Sequence, residues 1–205
     1  MYKLIQHLKL REGVRYRSYK DSLGYLTGGV GHLLSEEEAK LYPEGSTIPS
    51  EVVDRWLVRD IALAKKASQI QAQELTEPSE KLIEALVYVN FQLGTGWYKI
   101  HKKTWKLMTQ GRYEEAAIEA ANSVWYRQTP VRVEDFQKAL RNEAKRRLKM
   151  KEKLIALLKQ KTTWFGIAAL IGAAVGLPAG SEEQIAALLA GVVGVIYPEK
   201  PKADK

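Results

Sequence analysis

The 205-residue chain has no cysteine, so it can form neither a disulfide nor a thiolate metal site. It has three histidines, His7, His32 and His101, and they are too scattered to make a His-x-His or His-x-x-x-His pair. No metal and no cofactor is therefore expected. No internal repeat or low-complexity tract is present. No zinc finger or helix-turn-helix pattern accompanies the basic residues, so nucleic acid is not an expected partner. The start, "MYKLIQHLKLREG", has neither an apolar h-region nor a small-residue cleavage site, and no Sec leader is expected there.

What is present is unevenly distributed. Hydrophobic residues make up 45% of the chain, enough for one large domain or two small ones. The net charge is +8, yet residues 1–140 carry only +2 of it. Residues 141–161 hold nine Lys/Arg against two Asp/Glu. Residues 162–197 then hold two charges, Glu182 and Glu183, beside "LPAGS". Three segments follow from this: a main domain over 1–140, a basic helical connector over 141–161, and an apolar helical hairpin with a basic end over 162–205. Each arm of 13–16 residues would reach about 20–24 Å, short of a ~30 Å hydrocarbon core.

Local patterns sketch the elements. Leu4, Ile5 and Leu8 share a helical face that Gly13 should end, which places Glu12 at a helix C-terminus. "VRYRSYKD" alternates like a strand, "SLGY" turns, and "LTGGVGH" reads as one return strand. Its glycines suggest a close approach of the backbone to something. "SEEEAKLYPEGST" reads as a linker. Ser50 is expected to cap a helix running to about Gln71. Ser79 should start a largely apolar, buried helix that Gly94 ends, followed by "KKTWKLMTQG" and "YEEAAIEAAN" as short helices. "WYRQTP" reads as a turn, and one long helix should run from Val131 to about Lys161. Val133, Phe136 and Leu140 should pack it on the body, while "RNEAKRRLKMKEK" looks too charged to bury.

Two carboxylates facing a cleft can cleave a glycosidic bond, one as proton donor and one holding the water or attacking the sugar. Glu12 on a helix end, with Asp21 and Thr27 on a hairpin, could supply those parts. From spacing alone, a helix-end ion pair and a plain turn are the more ordinary reading of the same residues.

"REGVRYRSYKDSLGYLTGGVGHLL" resembles the signature of the phage-type lysozymes, glycoside hydrolase family 24. That signature runs Glu-Gly, Tyr-x-Asp, Tyr-x-Thr, Gly-x-Gly-His; here it is Glu12-Gly13, Tyr19 with Asp21, Tyr25 with Thr27, and Gly29, Gly31 and His32. "NFQLGTG" and "GRYEEAAIEAANSVWYRQTPVR" resemble the family's helical lobe in order and spacing. The resemblance implies a mainly helical α+β lysozyme-like fold: a small N-terminal lobe with a β-hairpin sheet, a long connecting helix, and a helical lobe. It implies a muramidase that cuts the β-1,4 bond between N-acetylmuramic acid and N-acetylglucosamine in peptidoglycan, in phage-mediated lysis or genome entry. Glu12 would be the general acid, and Asp21 and Thr27 would orient the water in an inverting reaction. Arg132 would reach across to Glu12. Leu33, Phe91, Gln92, Thr104 and Glu119 would fall at substrate positions, with Trp125 and Gln128 in support.

Thr104 replaces a serine and Glu119 an asparagine at glycan-contacting positions, and Tyr88 replaces an asparagine on the central helix. Phe91 and Trp125 could be core aromatics instead, and Arg132 could pair with Glu134 or Asp135. The tail is not required by the family. The segment 163–197 could associate with a membrane, bury itself in an assembly with copies or a virion partner, or fold onto its own body. An alternative reading of the whole chain is a virion structural protein that keeps the fold and assembles through this hairpin.

Overall fold

A computed structural model describes residues 2–21, 24–160, 163–164, 167–169 and 185–186. The chain divides into two compact units, residues 1–144 and 145–205.

The first unit opens with α1 (Tyr2–Glu12) and a three-stranded antiparallel sheet, β1 (Arg15–Lys20), β2 (Leu26–Gly29) and β3 (His32–Leu33), in that order. Gly13, at φ 74°, receives the chain from α1, as a helix-ending glycine should. β1 pairs with β2 through Tyr19 and Thr27, and a register shift separates this from the Arg15–Gly29 pair. The expected single return strand is instead two strands. Val30 and Gly31 form a tight turn, and Gly31 sits at φ 77°, a conformation that glycine adopts without steric cost. The free edge of β1 is covered by residues 45–48. Ser18 N–H donates to Ser46 O at 3.0 Å and Ile48 N–H to Tyr16 O at 2.9 Å.

Gly28 answers what the glycine-rich strand approaches. A methyl group there would lie 2.5 Å from the Ile48 side chain and 3.4 Å from Trp56. The strand is thus pressed against the core of its own lobe. That core joins Leu8, Val30, Leu34, Ile48, Val53, Trp56, Leu57 and Ile61.

The stretch expected to be a linker contains α2 (Glu36–Leu41). Ser35 and Glu38 form a capping box, each side chain accepting from the other residue's backbone N–H. The connecting helix is α3 (Ser50–Gln73). Ser50 is its first helical residue and not its cap; Pro49 holds the cap position without a side-chain bond. Buried Val52, Val53, Trp56, Leu57, Ile61 and Ala64 make its core stripe.

α4 (Glu80–Leu93) starts at Ser79, whose hydroxyl accepts from Leu82 N–H, and ends at Gly94. It serves both cores: Val87 enters the N-terminal one, while Leu82, Leu86 and Val89 enter the core of the helical lobe. Buried amides lock α4 to α3. Gln71 and Asn90 exchange side-chain bonds at 2.9 and 2.7 Å, and Asn90 also donates to Leu86 O at 2.8 Å. These groups would be costly to bury unpaired, by about 1–3 kcal/mol each.

The helical lobe continues through α5 (Trp97–Ile100), α6 (Lys102–Thr109), α7 (Tyr113–Ala121) and α8 (Val124–Gln128) to α9 (Pro130–Leu158). The "WYRQTP" segment is therefore mostly helix, not turn: Ser123 accepts from Tyr126 N–H and starts α8. α9 begins one residue before Val131, with Pro130 in its first turn, where a missing N–H costs no helical bond. Val133, Phe136 and Leu140 are buried, as their spacing predicts. Glu143, inside the stretch expected to stay exposed, is only 1% exposed. Its carboxylate accepts from Ser79 N–H at 3.3 Å, at the positive end of α4.

In the second unit, Trp164, Ala168 and Ala186 are buried together, with Leu158, Ile167 and Ile185 against them. The expected hairpin over 163–197 otherwise lies outside the described residues. Among the described residues, no helix is long and apolar enough to cross a membrane.

His32 is held between two carboxylates and stacked on Trp56, with ring centroids 4.5 Å apart. Nδ1 lies 2.7 Å from Asp60 and Nε2 3.0 Å from Glu38. Burial opposes the charge on the ring, but the bonds to Asp60 and Glu38 prevail and raise its pKa. Arg59 Nη2 is 3.0 Å from Nε2, yet a protonated ring cannot accept there, so Arg59 donates to Glu38 Oε1 at 3.1 Å. Burial also acts on Glu38, but the Ser35 N–H, His32 and Arg59 outweigh it and bring its pKa down to about 2.

The signs define a window. A raised histidine pKa stabilises fully below the unfolded value of 6.5 and fades as pH rises through the folded value. A lowered carboxyl pKa stabilises above 4.5 and is lost as pH falls toward 2. The thermal midpoint of the wild type minus that of His32→Gln should be largest between pH 4.5 and 6.5. It should shrink by pH 9. A difference flat from pH 5 to 9 would mean that folding leaves the pKa of His32 unshifted.

Candidate active site

α1 is short and ends where Gly13 turns the chain into β1, so the carboxylate of its last residue is presented at a junction of elements. Glu12 is 16% exposed, and Arg132 from the first turn of α9 reaches it with Nη2 2.6 Å from Oε2. The same Arg132 nitrogen donates to Arg11 O at 2.9 Å. Arg132 therefore grips the C-terminal end of α1 at two points. The acidic neighbours in its own sequence are used elsewhere. Asp135 pairs with Arg11 at 2.9 Å, and Glu134 accepts from Tyr126 OH at 3.3 Å. Arg11 and Asp135 form a second clasp between the same helices that motif spacing did not reveal. Its only sequence signal is an arginine directly before Glu12.

The electrostatics of Glu12 are set by two opposing terms. Burial raises its pKa, and Arg132 pulls the other way; burial wins. A carboxyl group so placed holds its proton to higher pH than a solvated one, as a general acid must.

Beside Glu12 lies a cavity of about 170 Å³, roomy enough for ordered water. Arg11, Tyr88, Gln92, Trp125, Arg132 and Phe136 are among its lining residues. Gln92 donates to Thr129 Oγ1 at 2.9 Å, tying α4 to the residue before α9. Trp125 is 4% exposed within the helical core, ring centroid 5.8 Å from Phe136, and it also lines this cavity. Phe91 packs against the N-terminal core.

Asp21 and Thr27 are organised around one residue. Asp21 Oδ1 accepts from Tyr25 N–H at 2.9 Å, and Thr27 Oγ1 donates to Tyr25 O at 3.1 Å. Asp21 backbone N–H also donates to Tyr25 O at 2.9 Å. This Asp turn is what the "DSLGYLT" spacing produces: the carboxylate holds the turn from one side and the hydroxyl from the other. Thr27 is buried and centrally paired in the sheet, opposite Tyr19 and Leu33.

The remaining expected substrate residues are spread out. Leu33 is 57% exposed on β3. Thr104 is buried on α6 and is not among the cavity's lining residues. Glu119 pairs with Lys103 at 2.6 Å and lines a separate pocket between α6 and α7. Gln128 ends α8. No group of His, Asp and Glu among the described residues could hold a metal ion.

Comparison with known proteins adds the family. Residues 9–150 match the Phage lysozyme family. The chain is 31% identical over 129 residues to the peptidoglycan hydrolase gp36 of Pseudomonas phage phiKMV, matching with 63% of its own length and covering 14% of that protein. It is 30% and 29% identical to the probable T4-type lysozymes 1 and 2 of Dictyostelium discoideum, covering 85% of each with 61% of its own length. The match takes in the end of α1, the sheet, the connecting helix and the helical lobe, and the chain belongs to the phage lysozyme family of glycoside hydrolases.

Proposed function

We propose that the chain is a peptidoglycan muramidase that hydrolyses the β-1,4 bond between N-acetylmuramic acid and N-acetylglucosamine. The observation that carries this reading is Glu12: a partly buried carboxyl with a raised pKa, held at a helix end by Arg132. Glu12 protonates the glycosidic oxygen as the bond to the anomeric carbon breaks. Asp21 and Thr27 hold a water on the opposite face of the sugar, and the carboxylate takes that water's proton as it attacks. Arg132 keeps the carboxyl in place and stabilises the carboxylate left behind. The phage phiKMV relative is named a peptidoglycan hydrolase, which supports the cell wall as the place of action.

The test is product chemistry. Purified peptidoglycan digested by the full chain should gain new reducing ends, and borohydride reduction should convert those ends to muramitol. Glucosaminitol would point to the other glycosidic bond. Free amino groups without reducing ends would point to amide cleavage, and either result would overturn the reading.

Arg132→Gln supplies a second check. It removes the charge that opposes burial at Glu12, so the pKa of the acid should rise further. The alkaline limb of the pH–rate profile should move to higher pH while the maximum rate falls roughly 10–100-fold, because the carboxyl loses its fixed position. Arg132→Lys should leave the limb nearer its original place. If the limb of Arg132→Gln does not move, Arg132 is not coupled to the titrating acid.

A further inference from the structure

We propose that the distal part of α9 lies on an anionic membrane surface, its leucine stripe in the headgroup boundary and its lysines among the phosphates. Met150, Leu154 and Leu157 recur at i, i+4 and i+7, so they share one face of α9. They are 46%, 57% and 51% exposed. At 100° per residue, Lys149 and Lys153 border one side of this stripe and Lys151 the other, and all three are exposed. Ile155 and Leu158 are only partly exposed, and Leu158, four residues after Leu154, meets the Trp164 cluster at the edge of the stripe. Met150, Leu154 and Leu157 stay exposed beside that contact.

Charge selects the occupant. Residues 141–161 carry +7, so a second copy docked stripe to stripe would bring two strongly positive helices together. A nucleic acid would take the lysines but leave the leucines in water. An anionic bilayer accepts both, because lysine stems lie along apolar surface while their ammonium groups reach the phosphates. No helix among the described residues can cross a bilayer, so α9 would lie along the surface.

The experiment uses the full chain and needs no hydrolysis, so its outcome is independent of the muramidase reading. Sedimentation with vesicles of phosphatidylglycerol and phosphatidylethanolamine is compared with phosphatidylcholine alone. The wild type should bind the anionic vesicles, less so as salt rises, and ignore the neutral ones. Leu154→Gln with Leu157→Gln should weaken binding at least about tenfold. Replacing Lys149, Lys151 and Lys153 by Gln should cost about fivefold per residue. Because the chain has no cysteine, Leu154→Cys carries an environment-sensitive dye at a unique place, with Lys138→Cys as control. Emission at 154 should shift to the blue on anionic vesicles, and emission at 138 should not. Failure to bind anionic vesicles would overturn the proposal. So would undiminished binding by the leucine variant, or binding without a shift at 154. A shift at 154 that follows protein concentration without vesicles would assign the stripe to a second copy instead.

Discussion

Glu12→Gln should remain folded and lose muramidase activity by at least ~10²–10⁴-fold. Glutamine keeps the shape of the side chain but cannot give a proton to the leaving oxygen, whose departure as an alkoxide is the costly part of the reaction. The fold should survive because the site already disfavours charge at this position. Burial raises the pKa of Glu12 even with Arg132 beside it, so a neutral group is well accommodated. Arg132 also keeps its bond to Arg11 O at 2.9 Å, and Arg11 keeps its pair with Asp135. The end of α1 should therefore stay clasped to α9. Dye release from labelled peptidoglycan and circular dichroism, measured on the same preparations, separate the two effects. A folded variant with near-normal release would remove Glu12 from the mechanism.

Elements with a full set of local signals were legible before the structure. α4 has a serine that caps it, an apolar run and a terminating glycine, and it forms between Ser79 and Gly94. Val133, Phe136 and Leu140 bury themselves because their spacing leaves one face to do so. Other elements differ from their sequence expectation. α2 lies in a stretch that reads as a linker, although Ser35 and Glu38 are a capping box that favours a helix. α8 lies in a segment that reads as a turn, although Ser123 starts a turn of helix before the proline is reached. Glu143 was assigned to solvent by the charge of its neighbours, and only the arrival of α4 gives its carboxylate a partner.

Candidate site residues divide along similar lines. The glutamate, aspartate and threonine were marked by motif, and Tyr25 organises the latter two through local bonds that the short spacing imposes. Partners at long range were not readable from spacing alone. Asp135 meets Arg11 and Asp60 meets His32 only because α9 and α3 bring them there. The Gln71–Asn90 exchange is of the same kind: two amides on two helices, each with an ordinary polar neighbourhood in sequence.

Asp21→Asn should also cost ~10²–10⁴-fold, and this substitution distinguishes chemistry from turn geometry. In the turn, Asp21 Oδ1 accepts from Tyr25 N–H, and an asparagine oxygen can accept the same bond. The turn, the Thr27 to Tyr25 O bond and the sheet pairing should therefore persist, which circular dichroism and the thermal midpoint would show. What asparagine cannot do is take a proton from the attacking water. A turn-only role predicts that Asp21→Asn is nearly as active as wild type while Asp21→Ala is impaired. A base role predicts that both are impaired alike. The stereochemistry gives an independent reading. If a water held by Asp21 and Thr27 attacks from the face opposite the leaving group, the first-formed sugar from a β-linked glycan is the α anomer. This geometry calls for about 6.5–9.5 Å between the carboxyl groups of Glu12 and Asp21, against the ~5–5.5 Å of retaining enzymes. Proton NMR during the first turnovers, before mutarotation, should show the α signal leading. A leading β signal, or a glycosyl group trapped on Asp21, would make Asp21 a nucleophile and the reaction a retaining one.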